Sequence, residues 1–402
     1  MPYRGDNLMS VKRSNRSAAL SILHEKGAMS RKRLAENMNL TPAAITKIVG
    51  ELIADGLLSE GETVSSGNAG RREILVDLKP DAACGLGVLI NIRCAVISCV
   101  RLDGQVLFAE SFRIEERADA EALTEMLSKA LLERMEAANI DRDRVIGLGI
   151  AVRGICSPDG RTVVNSFGAL RQENDPLRDR FEAATGFRTV MSNNVRALFA
   201  AQMFLDREER GGSQFFLRCE YGIGASLSIN GEIWRGVTEQ CAEIGHIPVV
   251  RRGGRLCSCG KSGCLETIAS PAAILRDAKE LLSPEKTPLL WQQRDSLSLT
   301  DVFEAARRGD AGAAEITDRA VSALAQALKA VIYLVDPGRI ILYGRMFEED
   351  YYLSRLFAEM REGVDSGHQV KVEKSRYNEA LEERAAGLLA VEEYFKMGGI
   401  YE

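Results

Sequence analysis

The chain has 402 residues, 46% of them hydrophobic and 27% charged, with a net charge of −5. That is the balance of an ordinary soluble protein with room for two or three cores. No run approaches the eighteen apolar residues of a membrane span, and the opening MPYRGDNLMS lacks the charged-then-apolar pattern of a secretory signal, so a cytoplasmic location is expected. Residues 1–80 carry 12 Lys and Arg against 9 Asp and Glu, while the rest carries 40 against 48. A mildly basic head on an acidic body points to nucleic acid as a partner of the head alone.

Three helices are predicted in the head. Residues 15–26, NRSAALSILHEK, put Ala19, Ile22 and Leu23 on one stripe and stop at Gly27. Ser30 caps a second helix, RKRLAENM. In TPAAITKIVGELIADG, Thr41 suits the N-cap, Pro42 the first turn and Gly56 the left-handed C-terminal position. Ile45, Ile48, Val49, Leu52 and Ile53 form its buried face. Thr41, Ala43, Ala44, Thr46 and Lys47 then form a slim leading end that can approach base edges in a major groove. LLSEGETVSSGNAGRREILVDL predicts two strands around a Gly/Ser/Asn-rich turn, with Arg71 and Arg72 on its return to reach phosphates or a narrow minor groove. Residues 1–80 are therefore predicted to be a winged helix-turn-helix that binds double-stranded DNA. The plainer alternative, a three-helix bundle with a solvated face, does not account for the wing.

From residue 81 the pattern changes. GLGVLINIRCAVISCVRLDGQVLFAES strings apolar strands around Asp103-Gly104, a hairpin signal, and a helix is predicted over 118–138. RVIGLGIAVRG predicts a buried strand, residues 214–234 a strand–turn–strand around Asn230-Gly231, and RIILYG at 339–344 a buried strand among helices. The whole suggests a two-lobed α/β body. Cys84, Cys94, Cys99, Cys156, Cys219 and Cys241 are scattered through apolar stretches and fit small buried side chains.

The other three cysteines lie in CSCGKSGC, residues 257–264, eleven positions beyond His246. Cys257 and Cys259 are too close in sequence to pair without strain, and a reducing compartment disfavours disulfides. Thiolates with imidazole suit Zn²⁺ in tetrahedral coordination. His246, Cys257, Cys259 and Cys264 make a closed set of four, so the expected zinc is structural.

AEIGHIPV followed by CSCGKSGCLE resembles the signature of the ROK family of repressors, uncharacterised reading frames and sugar kinases. YGIGASLSINGEIWRG, LVDPGRIILYG and the AGRRE of the wing extend the likeness over nearly the whole chain. The resemblance implies a two-lobed, actin-like ATPase (ribonuclease H-like) fold. Residues 81–193 with the C-terminal helix 385–402 would form the first lobe, and 194–384 the second, with the zinc. It implies sugar contacts from Asn193, Glu243, His246 and Glu266, with Asn194 beside them.

The family's catalytic aspartate falls on Asn194, in SNNVRAL, and an amide cannot serve as general base. The first phosphate loop, D-I-G-G-T in the kinases, falls on LINIR at 89–93, and the second glycine of the adenine-side motif on Arg345. Only Gly222-Ile223-Gly224 is retained, so no enzyme is expected. NSFGALRQENDPL, 165–177, also departs from the family's sugar loop, while Arg171 and Arg196 are candidates for an acidic sugar. The implied function is a regulator, a repressor by resemblance, of carbohydrate metabolism genes. It would act as a homodimer or tetramer, respond to a sugar or sugar derivative and use no membrane. A sugar kinase with a regulatory head and a repressor controlled by a protein partner are the rivals.

Overall fold

A computed structural model describes residues 8–64, 73–206, 211–363 and 367–400, so the predicted wing turn with Arg71 and Arg72 lies outside the described residues. The head comprises α1 (Leu8–Lys26), β1 (Met29–Ser30), α2 (Arg31–Met38), α3 (Pro42–Ala54), β2 (Leu58–Val64) and β3 (Glu73–Leu78). Its caps follow the sequence chemistry: Ser30 accepts from Arg33 N–H at 3.3 Å and Thr41 from Ala44 N–H at 3.3 Å. Gly56 takes φ 76°, the left-handed turn predicted for it. Helix α1 begins seven residues earlier than the apolar stripe predicts, because its first turns are exposed and carry no periodic apolar signal. The strands β1, β3 and β2 form a small antiparallel sheet in that order.

The chain divides into two compact units: residues 1–210 with 379–402, and residues 211–378. Besides the head, the first holds β4 (Cys84–Ile90), β5 (Cys94–Arg101), β6 (Val106–Arg113), α4 (Ala120–Ala137), β7 (Val145–Val152), β8 (Ile155–Cys156), β9 (Val163–Asn165), α5 (Leu177–Thr185), β10 (Thr189–Asn193) and α6 (Asn194–Leu205). The second holds β11 (Gln214–Cys219), β12 (Ile223–Ile229), β13 (Glu232–Trp234), α7 (Glu266–Ala269), α8 (Pro271–Leu281), α9 (Pro288–Trp291), α10 (Leu299–Arg307), α11 (Ala311–Val335), β14 (Arg339–Tyr343), α12 (Asp350–Arg361) and β15 (Lys371–Lys374). The first unit is completed by α13 (Glu382–Lys396).

The main sheets share one plan. In the first, the order is β10-β7-β4-β5-β6, with β4, β5 and β6 antiparallel and β4, β7 and β10 parallel. In the second it is β13-β12-β11-β14-β15, with the same antiparallel meander and parallel pair. This repeated order is the actin-like, ribonuclease H-like arrangement that the resemblance implied.

The boundary after residue 193 expected from the sequence is corrected by the structure. Helix α6 packs with α13 in the first unit, and the division falls at Arg210/Gly211. Helices α4 and α5 bury Leu123, Leu127, Leu131, Leu177 and Phe181 against the sheet core. On the other face α13 lies so close that a Cβ on Gly149 would stand 1.8 Å from Ala386 O, and one on Gly87 2.4 Å from Gly387 N. Gly85 and Gly87 of β4 and Gly149 of β7 are thus seats for a helix. Among the described residues no helix is long and apolar enough to cross a membrane.

Candidate metal centre and DNA-reading helix

The four predicted ligands come together. His246, Cys257, Cys259 and Cys264 place one ligand atom each within 4.8 Å of one another, in the second unit. Cys257 Sγ is 3.4 Å from His246 Nδ1 and Cys259 Sγ 3.6 Å from Cys264 Sγ. A sulfur pair at that distance is no disulfide, and all nine cysteines are free thiols. Tetrahedral bonds of about 2.3 Å to one Zn²⁺ would set two sulfurs about 3.8 Å apart, so the spacing fits such an ion.

The backbone explains the convergence. Residues 244–246 form one 3₁₀ turn, which seats His246 where a Cβ on Gly245 would meet Ile223 O at 2.1 Å. The cysteine turn closes with Cys257 N–H donating to Lys261 O at 2.7 Å and Gly260 N–H to Cys257 O at 2.9 Å. Val249 N–H then donates to Gly263 O at 2.8 Å, binding the His246 segment to the Cys264 segment.

Burial raises the Cys257 thiol, and burial first, then the Cys259 neighbour, pushes Cys264 up to about 12. Burial also acts upward on Cys259, but donation from the Lys261 amide and the adjacent thiols leaves it below its ordinary value. Without a cation the cluster therefore resists full ionisation, as a structural metal site does.

The two glutamates flank this cluster. Glu243 lies three residues before His246, with Oε2 3.9 Å from His246 Nε2, the ring nitrogen turned away from the cysteines. Glu266 lies two residues after Cys264, and its Oε2 accepts from Ile223 N–H at 2.9 Å. That bond occupies an amide of the Gly222-Ile223-Gly224 turn. A similar cap stands at the other glycine motif, where Arg345 N–H donates to Glu220 Oε1 at 3.0 Å. Gly344, at φ 134°, has no room for a Cβ, which would stand 1.9 Å from Cys219 O. Two backbone amides at glycine turns thus face carboxylates.

Asn193 and Asn194 lie in the first unit, and the structure gives each a further role. Asn193 caps α6: its Oδ1 accepts from Val195 N–H at 2.8 Å and Arg196 N–H at 3.2 Å, while Nδ2 donates to Gly154 O at 2.5 Å. An asparagine directly before a helix is a recognisable cap, so this role was open to sequence reasoning. Asn194 is buried and donates through Nδ2 to Asn91 Oδ1 at 2.8 Å. Asn91 belongs to LINIR, so this amide–amide hydrogen bond joins the LINIR segment to the start of α6. Arg196 is buried within α6, and Arg171 is exposed and 3.8 Å from Asp119.

In the head, Ala43, Thr46 and Lys47 are exposed, Ala44 is half-buried, and Ile45, Ile48, Val49 and Leu52 are buried. Ile53, expected on the buried face, is only partly covered at its edge. Thr46 Oγ1 donates to Pro42 O at 2.8 Å, leaving its lone pairs outward.

A three-helix head with an antiparallel strand pair, joined to two sheets of the sugar-kinase plan, defines a DNA-binding transcriptional regulator built on a kinase-type scaffold. A family model described as "ROK family" matches residues 90–390, and the chain belongs to the ROK family. A model described as "MarR family" matches residues 14–60, within the head.

The DNA-binding transcriptional dual regulator NagC of Escherichia coli K12 is 28% identical over 350 residues, spanning 86% of this chain and 84% of the relative. In fold, the chain is similar to the crystal structure of a ROK family transcriptional regulator described as a homolog of E. coli MLC protein. That match has a TM-score of 0.82, 24% identity and coverage of 96% of this chain and 97% of that one. A ROK family glucokinase from Streptomyces griseus, solved with glucose and AMPPNP, matches at TM-score 0.64 and 24% identity, covering 76% of this chain and 99% of that one.

Proposed function

We propose that this protein is a repressor of carbohydrate metabolism genes that binds a sugar or sugar derivative without phosphorylating it, and that Zn²⁺ fills its Cys₃His cluster. The observation that carries the reading is the hydrogen bond from buried Asn194 to half-buried Asn91, which would put an amide where a kinase needs a proton acceptor. The carboxylate caps on Ile223 N–H and Arg345 N–H support it, because they set negative charge where a nucleotide's phosphates would have to approach. A relative spanning 86% of this chain is a regulator, whereas the glucokinase matches 76% of it.

The sugar contacts proposed are Glu243, His246, Glu266, Asn193 and Asn194. Carboxylate and amide groups of this kind suit vicinal hydroxyls. Zinc held through His246 Nδ1 would fix the ring so that Nε2 stays beside Glu243. Thr41, Ala43, Ala44, Thr46 and Lys47 would read the major groove and Arg71 and Arg72 the minor groove, as a homodimer or tetramer on a pseudo-palindromic operator.

Duplexes selected by the purified protein from a random pool, then titrated with N-acetylglucosamine, glucose and xylose, test the reading. Release by one of these at millimolar concentration or below is expected. Failure to select any duplex would overturn the DNA-binding assignment, and release by cell extract but by no sugar would favour a protein partner.

Asn194→Asp is expected to leave ATP turnover at background with each sugar. One new carboxylate restores neither the LINIR loop nor the two capped amides, and it exchanges an N–H donor for buried charge at a cost of about 1–3 kcal/mol. A coupled ADP assay reporting the roughly 1–100 s⁻¹ of ordinary kinases, in the wild type or the variant, would remove the non-catalytic reading.

A further inference from the structure

Helix α1 carries a buried stripe at four-residue spacing, Arg16, Leu20 and His24. Its two polar members each grip the end of a different body helix. Arg16 Nε donates to Gly398 O at 2.7 Å, two residues beyond α13, and Nη2 donates to Asp55 Oδ2 at 2.6 Å, one residue beyond α3. His24 Nε2 is 3.0 Å from Phe204 O near the end of α6. Its ring stacks on Phe204 at 3.9 Å between centroids and lies edge-on to Phe395 of α13 at 6.1 Å. A guanidinium that is 1% exposed, bonded to a backbone carbonyl and a carboxylate in a fixed fork, is a rigid joint.

Chain connectivity gives these joints their meaning. Helix α6 is the last helix before the chain leaves the first unit at Arg210, and α13 is the first after it returns at Glu379. Both covalent links between the units therefore adjoin a helix whose C-terminal end seats the head. Helix α6 also begins at the Asn193–Asn194 pair, 12 residues from its end. Phe204, the His24 seat, lies ten residues beyond Asn194, about 15 Å along the helix at 1.5 Å per residue.

We propose that Arg16 and His24 are positioning residues for DNA recognition: they fix the reading helix α3 to the ends of α6 and α13, so that a displacement of either body helix is passed to the head. This rests on the DNA-binding reading above. The tail is built to press on the head, because Gly398 and Gly399 take φ 72° and 73°, and a Cβ on Gly399 would stand 2.4 Å from Leu57 Cδ1, just past α3.

Two substitutions in the full, metal-loaded chain test this. Gly399→Ala disturbs the joint from the body side, where its Cβ meets Leu57, Leu20 and Arg16, and Arg16→Lys keeps the charge but loses the fork. In each, amide exchange is followed at residues 51–57 and in β4 and β7, and affinity is measured for wild-type-selected duplexes bearing one half-site or two. Exchange at 51–57 is expected to quicken by about tenfold or more with β4 and β7 unchanged. Affinity for two half-sites should fall about tenfold or more while single half-site affinity changes less than about twofold, because recognition within one head survives and only its pitch is lost.

Unchanged exchange at 51–57 in both variants, or equal weakening on both duplexes, would overturn the proposal. A substitution that also quickens β4 and β7 has unfolded the unit, and the other variant then decides. If the wild type selects no duplex, the DNA-binding reading fails by itself, and the exchange result still decides whether the tail and the reading helix are joined.

Discussion

Replacing Cys264 with serine is expected to abolish metal retention and to lower the melting temperature by about 6–12 °C, from a loss of at least about 3 kcal/mol at 2–4 °C per kcal/mol for a domain of this size. Cys264 is wholly buried, stands 3.6 Å from Cys259 Sγ and 3.5 Å from His246 O, and directly precedes the Leu265–Glu266 corner. A serine hydroxyl is a poor ligand for zinc, so three donors would remain around an ion that structural sites hold with four. The loss should spread, because Leu265 N–H donates to Ile247 O at 3.0 Å and Glu266 caps the Ile223 amide.

Metal analysis with calorimetry checks this, and full zinc occupancy with an unshifted transition would contradict it. The sign of the pH dependence follows from the same thiols. Burial holds Cys264 at about 12 and raises Cys257, so near neutrality both are protonated without metal and must release protons when it binds. Acidification by one unit should therefore weaken metal binding by up to about tenfold per protonated thiol, and alkalinisation should strengthen it.

Local chemistry explains what the sequence made legible. Caps, a left-handed glycine and the 3.6-residue stripe are written within a dozen residues, so α2 was placed from Ser30 and α3 from Thr41, Pro42, Gly56 and the stripe from Ile45 to Ile53. The metal centre was readable for a related reason: three of its ligands fall within eight residues, and no other cysteine cluster competes. Roles set by distant partners were hidden. Nothing local to Glu220 or Glu266 says that each would cap a backbone amide of a glycine turn, since their donors lie 125 and 43 positions away. Arg16 looks like one more exposed cation of a polar helix, yet it is 1% exposed because its acceptor comes from Gly398, 382 positions on. The boundary at 193 was misplaced for the same cause. Helix α6 is buried all round, eleven of its residues being covered, and only its packing on α13 decides which unit owns it.

Lys47→Glu is expected to weaken binding to a selected operator by about a hundredfold or more at moderate salt, through loss of one phosphate contact and a new repulsion beside the duplex. Lys47 is exposed on the outer face of α3, one residue beyond Thr46 and opposite the buried Ile45, Ile48 and Val49. The substitution touches no packed atom, so zinc content and melting temperature should stay at wild-type values. Lys47→Ala should act more mildly, reducing the slope of log affinity against log salt by about 1 without altering sequence preference. Thr46→Val has the opposite signature. It removes a hydroxyl whose proton is spent on Pro42 O but whose lone pairs face outward, so it should relax base preference at one position, worth about 1–3 kcal/mol, and leave the salt slope unchanged. Fluorescence anisotropy at several salt concentrations on cognate and substituted duplexes separates the two. If Lys47→Glu binds as the wild type does, α3 is not the reading helix, and the DNA contacts must be sought on another face of the head.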